Sequence, residues 1–149
     1  MVMMLLMTKI VIKELVSAAD MLSMYPLLQQ RYPTMERVEF VTLLEEMRSN
    51  GYKAIAAENE QNELVGVSGF WINCQFYNKR TLRIDNFIID AEHQNQGIGR
   101  AMLAWMEDFA RGADCQSVIL DSYVTNETAH RFYFREGFAI KCLHFSKKI

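Results

Sequence analysis

The run Gln94-Asn95-Gln96-Gly97-Ile98-Gly99-Arg100-Ala101 constrains this chain more than any other stretch. It follows a β-branched apolar strand, Ile84 to Ile89, and leads into an amphipathic helix that reaches Arg111. Glycines at such a joint let a ligand approach the backbone closely, because no Cβ stands in the way. The first amides of a helix have no internal partners, and the helix dipole leaves that end partly positive. Strand, glycine loop and helix start together make an anion site suited to a pyrophosphate. The sequence therefore predicts a phosphate-bearing cofactor and says where it sits.

Several glycine signatures could explain the joint. A P-loop needs Lys followed by Ser or Thr after its last glycine, and here Arg100 and Ala101 follow Gly99. A dinucleotide-binding fingerprint needs a third glycine and an acid about 20 residues on. This chain has Met102 where that glycine would help pack helix on strand, and Asp121 at the end of the next strand. Too little chain follows Asp121 for a second nucleotide-binding half. The remaining signature fits better. Gln94-x-x-Gly97-x-Gly99 resembles the R/Q-x-x-G-x-G/A motif of the GNAT superfamily of N-acetyltransferases, which bind acetyl-coenzyme A. Asn126-Glu127-Thr128-Ala129-His130-Arg131-Phe132-Tyr133-Phe134-Arg135-Glu136-Gly137-Phe138 resembles the same family's second landmark, N-x-x-A-x-x-x-Y-x-x-x-G-F. The two occur in family order, with one helix and one strand between them. The clear likeness covers Leu82 to Phe138.

The 149 residues predict one domain, with enough chain to bury a core. Half are apolar, and the net charge is −2 with no long basic run, which argues against a nucleic-acid or membrane surface. Cys74, Cys115 and Cys142 are far apart and odd in number, so neither a disulfide framework nor a zinc site is expected. They read as reduced thiols used as small buried hydrophobes, in a cytoplasmic protein. No metal is expected, and His93 and His144 form no metal-spaced pair. Met1-Val2-Met3-Met4-Leu5-Leu6-Met7 lacks the basic start and cleavage site of a signal peptide. Residues 1–8 read as a frayed or alternative start, or as a cover for an apolar surface.

Periodicity predicts an α/β chain. Lys9 to Leu15 reads as a strand, and Ser17 caps a helix from Ala18 to about Arg31. A second helix from about Glu36 to Ser49 carries the stripe Phe40, Leu43, Leu44 and Met47, and ends at Asn50-Gly51. Tyr52–Glu58, Leu64–Asn73, Leu82–Asp90 and Ser117–Asp121 read as strands. Thr125 or Asn126 caps a short helix to Glu136, and Phe138 to Ser146 reads as a closing strand or hairpin. The resemblance implies a GNAT fold. That is a mixed, mostly antiparallel sheet with helices on both faces, in which the parallel strands Leu82–Asp90 and Ser117–Asp121 splay apart. It also implies that pantetheine lies in that slot like an extra strand, along Phe87, Ile88 and Ile89.

N-acetylation needs a neutral amine. A lysine-like amine has a pKa of about 10.4, so roughly one in a thousand is ready at neutral pH. A base or a desolvating site must help. Asp85, on the strand before the glycines, is the candidate base or substrate anchor, with ordered water as the alternative. By its place in the family motif, Tyr133 is the candidate acid at the departing sulfur. The resemblance assigns the cofactor to Gln94, Asn95, Gln96, Gly97, Ile98, Gly99, Arg100 and Ala101, with Asn126 and Tyr133 at the pantetheine arm. The acceptor pocket is expected from the first two helices and the loop Asn73 to Arg80. Tyr25, Tyr32 and Trp71, with Phe76, Tyr77 and Asp121, are the candidate substrate contacts. An aromatic wall suits an apolar or cationic amine. The leading reading is direct acetyl transfer in a ternary complex to a primary amine of a small molecule or peptide. No Cys or Ser stands in a nucleophile setting. The alternative is a non-catalytic acyl-CoA-binding sensor or subunit. Many proteins of the family dimerise, so a homodimer fits either reading.

Overall fold

The computed structural model describes residues 9–149, and the opening segment 1–8 lies outside them. In chain order the elements are β1 (Val11–Leu15), α1 (Ala18–Leu22), α2 (Tyr25–Arg31), α3 (Arg37–Ser49), β2 (Lys53–Glu58), β3 (Leu64–Gln75), β4 (Lys79–Ile89), α4 (Ile98–Gly112), β5 (Ser117–Leu120) and α5 (Glu127–Arg135). The strands form one sheet in the order β1-β2-β3-β4-β5. β1 to β4 pair antiparallel, and β5 joins parallel to β4 after the α4 crossover. The Gln116 N–H bonds the Arg80 carbonyl at 2.8 Å, so both strands start at the same end. β5 has only 4 residues against 11 in β4. The second half of β4, with Phe87 and Ile89, therefore runs past the end of β5.

Alternation divides the core between the two sheet faces. Ala54, Ala56 and Val67 point to one face, where they pack with Met21, Met24, Leu28 and Phe40 of the first three helices. Phe70 points to the other, where its ring meets Trp105 and Phe109 of α4 at 6.3 and 5.1 Å. Met102, Leu103 and Met106 bury the apolar stripe of α4.

The chain divides into two compact units, one ending at Ile119 and the other running from Leu120 to Ile149. The sheet and α1 to α4 make the first. α5 is the regular element of the second.

Four expectations are corrected. The first helix is two, because Pro26 lacks an N–H and its ring would strike the Leu22 carbonyl one turn back. Ser17 does cap α1, in a reciprocal box with Asp20. Asn73 to Arg80 is no loop. β3 and β4 pair up to Gln75 and Lys79, and Lys79 takes a left-handed φ of 59° as the strands turn. Phe138 to Ser146 forms no strand. Ile140 lies an odd number of residues from Leu143 and Phe145, so a strand would send them to opposite faces, and all three are exposed. Lastly, Cys74 and Cys142 are exposed and Cys115 half-buried, so the thiols are free but are not core hydrophobes. Among the described residues no helix is long and apolar enough to cross a membrane.

Candidate acetyltransferase site

The site begins with an irregularity in β4. Ser68 pairs with Phe87 and Phe70 with Ile84, so Gly69 alone faces both Asp85 and Asn86. Two residues against one is a β-bulge, a device that re-aims side chains beside active sites. It shifts the alternation of β4 by one. Ile88 packs with the α1–α3 face, whereas Ile84 pairs with Phe70, whose ring meets α4. Adjacent residues of a regular strand point apart, but Asp85 and Asn86 both line one cavity.

Gly69 makes room for this arrangement. A Cβ there would lie 1.8 Å from the Tyr52 hydroxyl oxygen. In that space the Tyr52 O–H donates to Asn86 Oδ1 at 2.7 Å. The Ser68 hydroxyl donates to the Asn86 carbonyl at 2.6 Å, which satisfies the bulged backbone. Asn86 Nδ2 is left buried without a protein acceptor. Burial, and then the charge of Asp85, push the Tyr52 phenol far above its ordinary pKa, so it stays protonated.

The cavity, about 150 Å³, opens between this bulge and the helices. Its walls include Phe40, Leu43, Leu44 and Met47, the whole apolar stripe of α3, together with Tyr32 just after α2. Of the expected substrate contacts, Tyr32 is in its wall, whereas Tyr25, Trp71, Phe76, Tyr77 and Asp121 are not. Tyr25 meets Phe40 at a tilt, 5.2 Å between ring centroids, and donates to the Met35 carbonyl at 2.9 Å, so it braces the wall from outside. Trp71 meets Tyr52 edge-on at 5.0 Å. Phe76 and Tyr77 are exposed at the β3–β4 turn.

The glycine joint lies at the far end of β4. Gln94 to Gly97 are exposed, and Asn95 and Gly97 both adopt left-handed backbone, with φ of 61° and 81°. A Cβ on Gly97 would meet nothing within 4 Å. Gly97 caps the 15-residue helix α4, whose Ala101 N–H bonds the Gly97 carbonyl at 3.1 Å. The amides ahead of Ala101 therefore open toward the loop. Gln30 of α2 clasps the start of this segment. Its Nε2 donates to Asp90 Oδ1 at 2.7 Å, and its Oε1 accepts from the Ala91 N–H at 3.1 Å. His93 Nδ1 lies 2.5 Å from the other Asp90 oxygen. The bond from Gln30, and then that from His93, hold the Asp90 carboxyl below its ordinary pKa.

The remaining candidates lie in the second unit. Asn126 caps α5, its side chain accepting from the Ala129 N–H at 3.2 Å. Tyr133 packs between Phe132 and Phe138 at 5.3 and 5.5 Å, and burial pushes its phenol up to about 12. Asp121 is engaged by His144 Nδ1 at 3.1 Å. Tyr52, Asn86 and Gly69 escaped sequence reasoning. A bulge is a property of pairing, and nothing in the sequence around Asp85 marks it.

A model of the acetyltransferase (GNAT) family matches residues 21–138. The chain belongs to that family. It is 28% identical over 88 residues to an aminoalkylphosphonate N-acetyltransferase of Salmonella typhimurium, a match that takes in 58% of this chain and 57% of that protein. With an uncharacterized N-acetyltransferase of Bacillus subtilis, YhdJ, it shares 24% over 138 residues, covering 92% of this chain and 97% of the relative. An aminoglycoside N-acetyltransferase solved in complex with coenzyme A superimposes with a TM-score of 0.82 at 13% identity, covering 95% of each chain. That likeness shows the same fold. The family uses acetyl-CoA, and the joint fits its pyrophosphate. The loop is exposed, a long helix begins there, and Gly97 offers open space where a side chain would stand.

Proposed function

We propose that this chain transfers an acetyl group from acetyl-CoA to a primary amine, by direct attack in a ternary complex. The observation that carries the reading is Gly97, left-handed at φ 81° with open space at its Cβ position, at the start of a 15-residue helix. Gln94 to Ala101 would hold the pyrophosphate, chiefly through backbone amides, with Arg100 adding positive charge. The β4 edge at Phe87, Ile88 and Ile89 would pair with the pantetheine arm, where β5 no longer runs beside it. The bulge sets Asp85 in the cavity wall, where it would receive the acceptor.

Bound acetyl-CoA supplies an acetyl thioester whose thiolate leaves readily, a thiol having a pKa of about 8.5. Asp85 takes a proton from the acceptor ammonium and frees the nitrogen lone pair. The nitrogen forms its bond to the acetyl carbon as the carbon–sulfur bond breaks; sulfur keeps the electron pair, and the nitrogen gives up its second proton to solvent to leave the neutral amide. Tyr133 is the acid of this proposal by its place in the family motif. A phenol at about 12 is a weaker acid than the thiol it would protonate. Its part is therefore a hydrogen bond to the departing sulfur, with the final proton coming from solvent.

Thermal unfolding with acetyl-CoA tests the donor. Ligand at about 100 times its dissociation constant should add roughly 2.7 kcal/mol. A melting curve unchanged by acetyl-CoA would remove the donor from the account.

A further inference from the structure

Resting on the transfer reaction proposed above, we infer that the acceptor is a primary amine carried on a compact apolar body. The body is about one aromatic ring or a six-carbon chain in size, without an anionic tail. The cavity in the first unit makes the case in three ways.

The first is size. At about 150 Å³ the cavity matches apolar cavities that hold one benzene-sized guest. The second is the chemistry of the wall. Leu28, Phe40, Leu44 and Met47 present hydrocarbon and thioether, and among the described residues no Lys or Arg is in the lining. A phosphonate, phosphate or carboxylate on the acceptor would be desolvated there with no cation to meet it, and a polyol would lose its water without enough polar replacements. The third is the placement of the polar groups. Among the described residues Asp85 is the one charged residue in the wall, and it is exposed. Next to it, Asn86 is 6% exposed, and its Nδ2 has no protein acceptor. An amine that enters apolar end first leaves its ammonium beside Asp85.

The test compares kcat/KM with acetyl-CoA for phenethylamine, hexylamine, 2-aminoethylphosphonate and glucosamine. Phenethylamine and hexylamine should exceed the other two by about 100-fold or more. Equal or better turnover of the phosphonate or the amino sugar would overturn the assignment. Leu43 is 40% exposed at the cavity, so Leu43→Lys should fold. It should lower kcat/KM for phenethylamine about 10-fold or more and leave acetyl-CoA affinity unchanged. An unaltered preference in a folded Leu43→Lys chain would count against the cavity.

A binding measurement separates this inference from the reaction. Trp71 touches Tyr52, which lines the cavity, so Trp71 fluorescence in a Trp105→Phe background reports an occupant. Saturable change with phenethylamine and none with 2-aminoethylphosphonate supports the cavity assignment even if acetyl-CoA neither binds nor reacts, an outcome that would sink the reaction alone. No saturable change with phenethylamine, in a chain that binds acetyl-CoA, would sink the cavity assignment alone.

Discussion

The Tyr52 hydroxyl donates to Asn86 Oδ1 at 2.7 Å across a space that exists because Gly69 has no side chain. Three strands meet in that contact: Tyr52 leads into β2, Gly69 is on β3, and Asn86 is in the bulge of β4. The bond pins the bulge, and the bulge carries Asp85. A position without a side chain thus governs where the cavity's carboxylate points.

Gly69→Ala should therefore cost more than its single methyl suggests. The added carbon would lie 1.8 Å from the Tyr52 oxygen and 2.1 Å from its ring carbons, so the ring must move. Overpacking of this kind costs typically about 1–3 kcal/mol. Removing the ring should relieve it. Urea unfolding of Gly69→Ala, Tyr52→Ala and the double variant should give a double loss well short of the sum. Additive losses would mean that the two residues do not compete for that space.

Gly97→Val should abolish acetyl-CoA binding while the chain still folds. The position is left-handed, which costs a β-branched residue of order 1–3 kcal/mol, and the side chain would fill the space proposed for pyrophosphate. Gly97→Ala separates strain from volume, since it bears most of the backbone cost with one carbon. Calorimetric titration with acetyl-CoA should show a small loss for Ala and a complete one for Val. Unchanged affinity in folded Gly97→Val would move the phosphate site elsewhere.

The Gln30–Asp90 clasp predicts an acid-labile increment of stability. Asp90 is held below its ordinary pKa, first by Gln30 and then by His93. A depressed carboxyl contributes stability above its unfolded pKa of about 3.9 and loses it as pH falls through the lower folded value. Gln30→Ala should be less stable than wild type at pH 5 and above, and the gap should narrow below about pH 4. A gap as wide at pH 3 as at pH 7 would separate the clasp from the charge on Asp90.

Tyr133→Phe keeps the ring between Phe132 and Phe138 and removes only the hydroxyl. Fold and acetyl-CoA affinity should survive. With the phenol pushed up to about 12 by burial, the role proposed for it is a hydrogen bond to the leaving sulfur without full proton transfer. The loss in kcat and kcat/KM should then fall at or below about 100-fold, the lower end for a general acid. The hydroxyl should also resist ionisation. Its neutral form is favoured by folding, so its contribution is complete below about pH 10 and fades as pH rises toward 12. Wild-type turnover in the Phe variant, with chemistry rate-limiting, would return Tyr133 to packing alone.

The sequence carried what is local. Gly97 at a helix start, Ser17 as a helix cap and the stripe of α3 are each written within a few residues, and each forms. Pro26 was equally visible, but the apolar spacing from Met21 to Leu28 reads through it as one helix. The bulge at Asp85–Asn86 was not legible, because it depends on which β3 residue stands opposite. The same gap hid the cavity wall. Phe40, Leu43, Leu44 and Met47 read as core, and only the arrangement against the bulge shows the space between them. The turn from β3 to β4 has no Asn-Gly or Asp-Gly signal, so Phe76 and Tyr77 resembled a binding loop when they cap a hairpin.

The reaction proposed above is acetyl transfer to an amine that enters apolar end first beside Asp85. The most direct measurement follows thiol release and N-acetyl product together, in one reaction with acetyl-CoA and phenethylamine, for wild type and Asp85→Asn. Wild type should release one thiol per acetylated amine, and the variant should lose about 100-fold or more in kcat/KM with acetyl-CoA affinity retained. Wild-type turnover by folded Asp85→Asn, or thiol release without N-acetyl product, would contradict it.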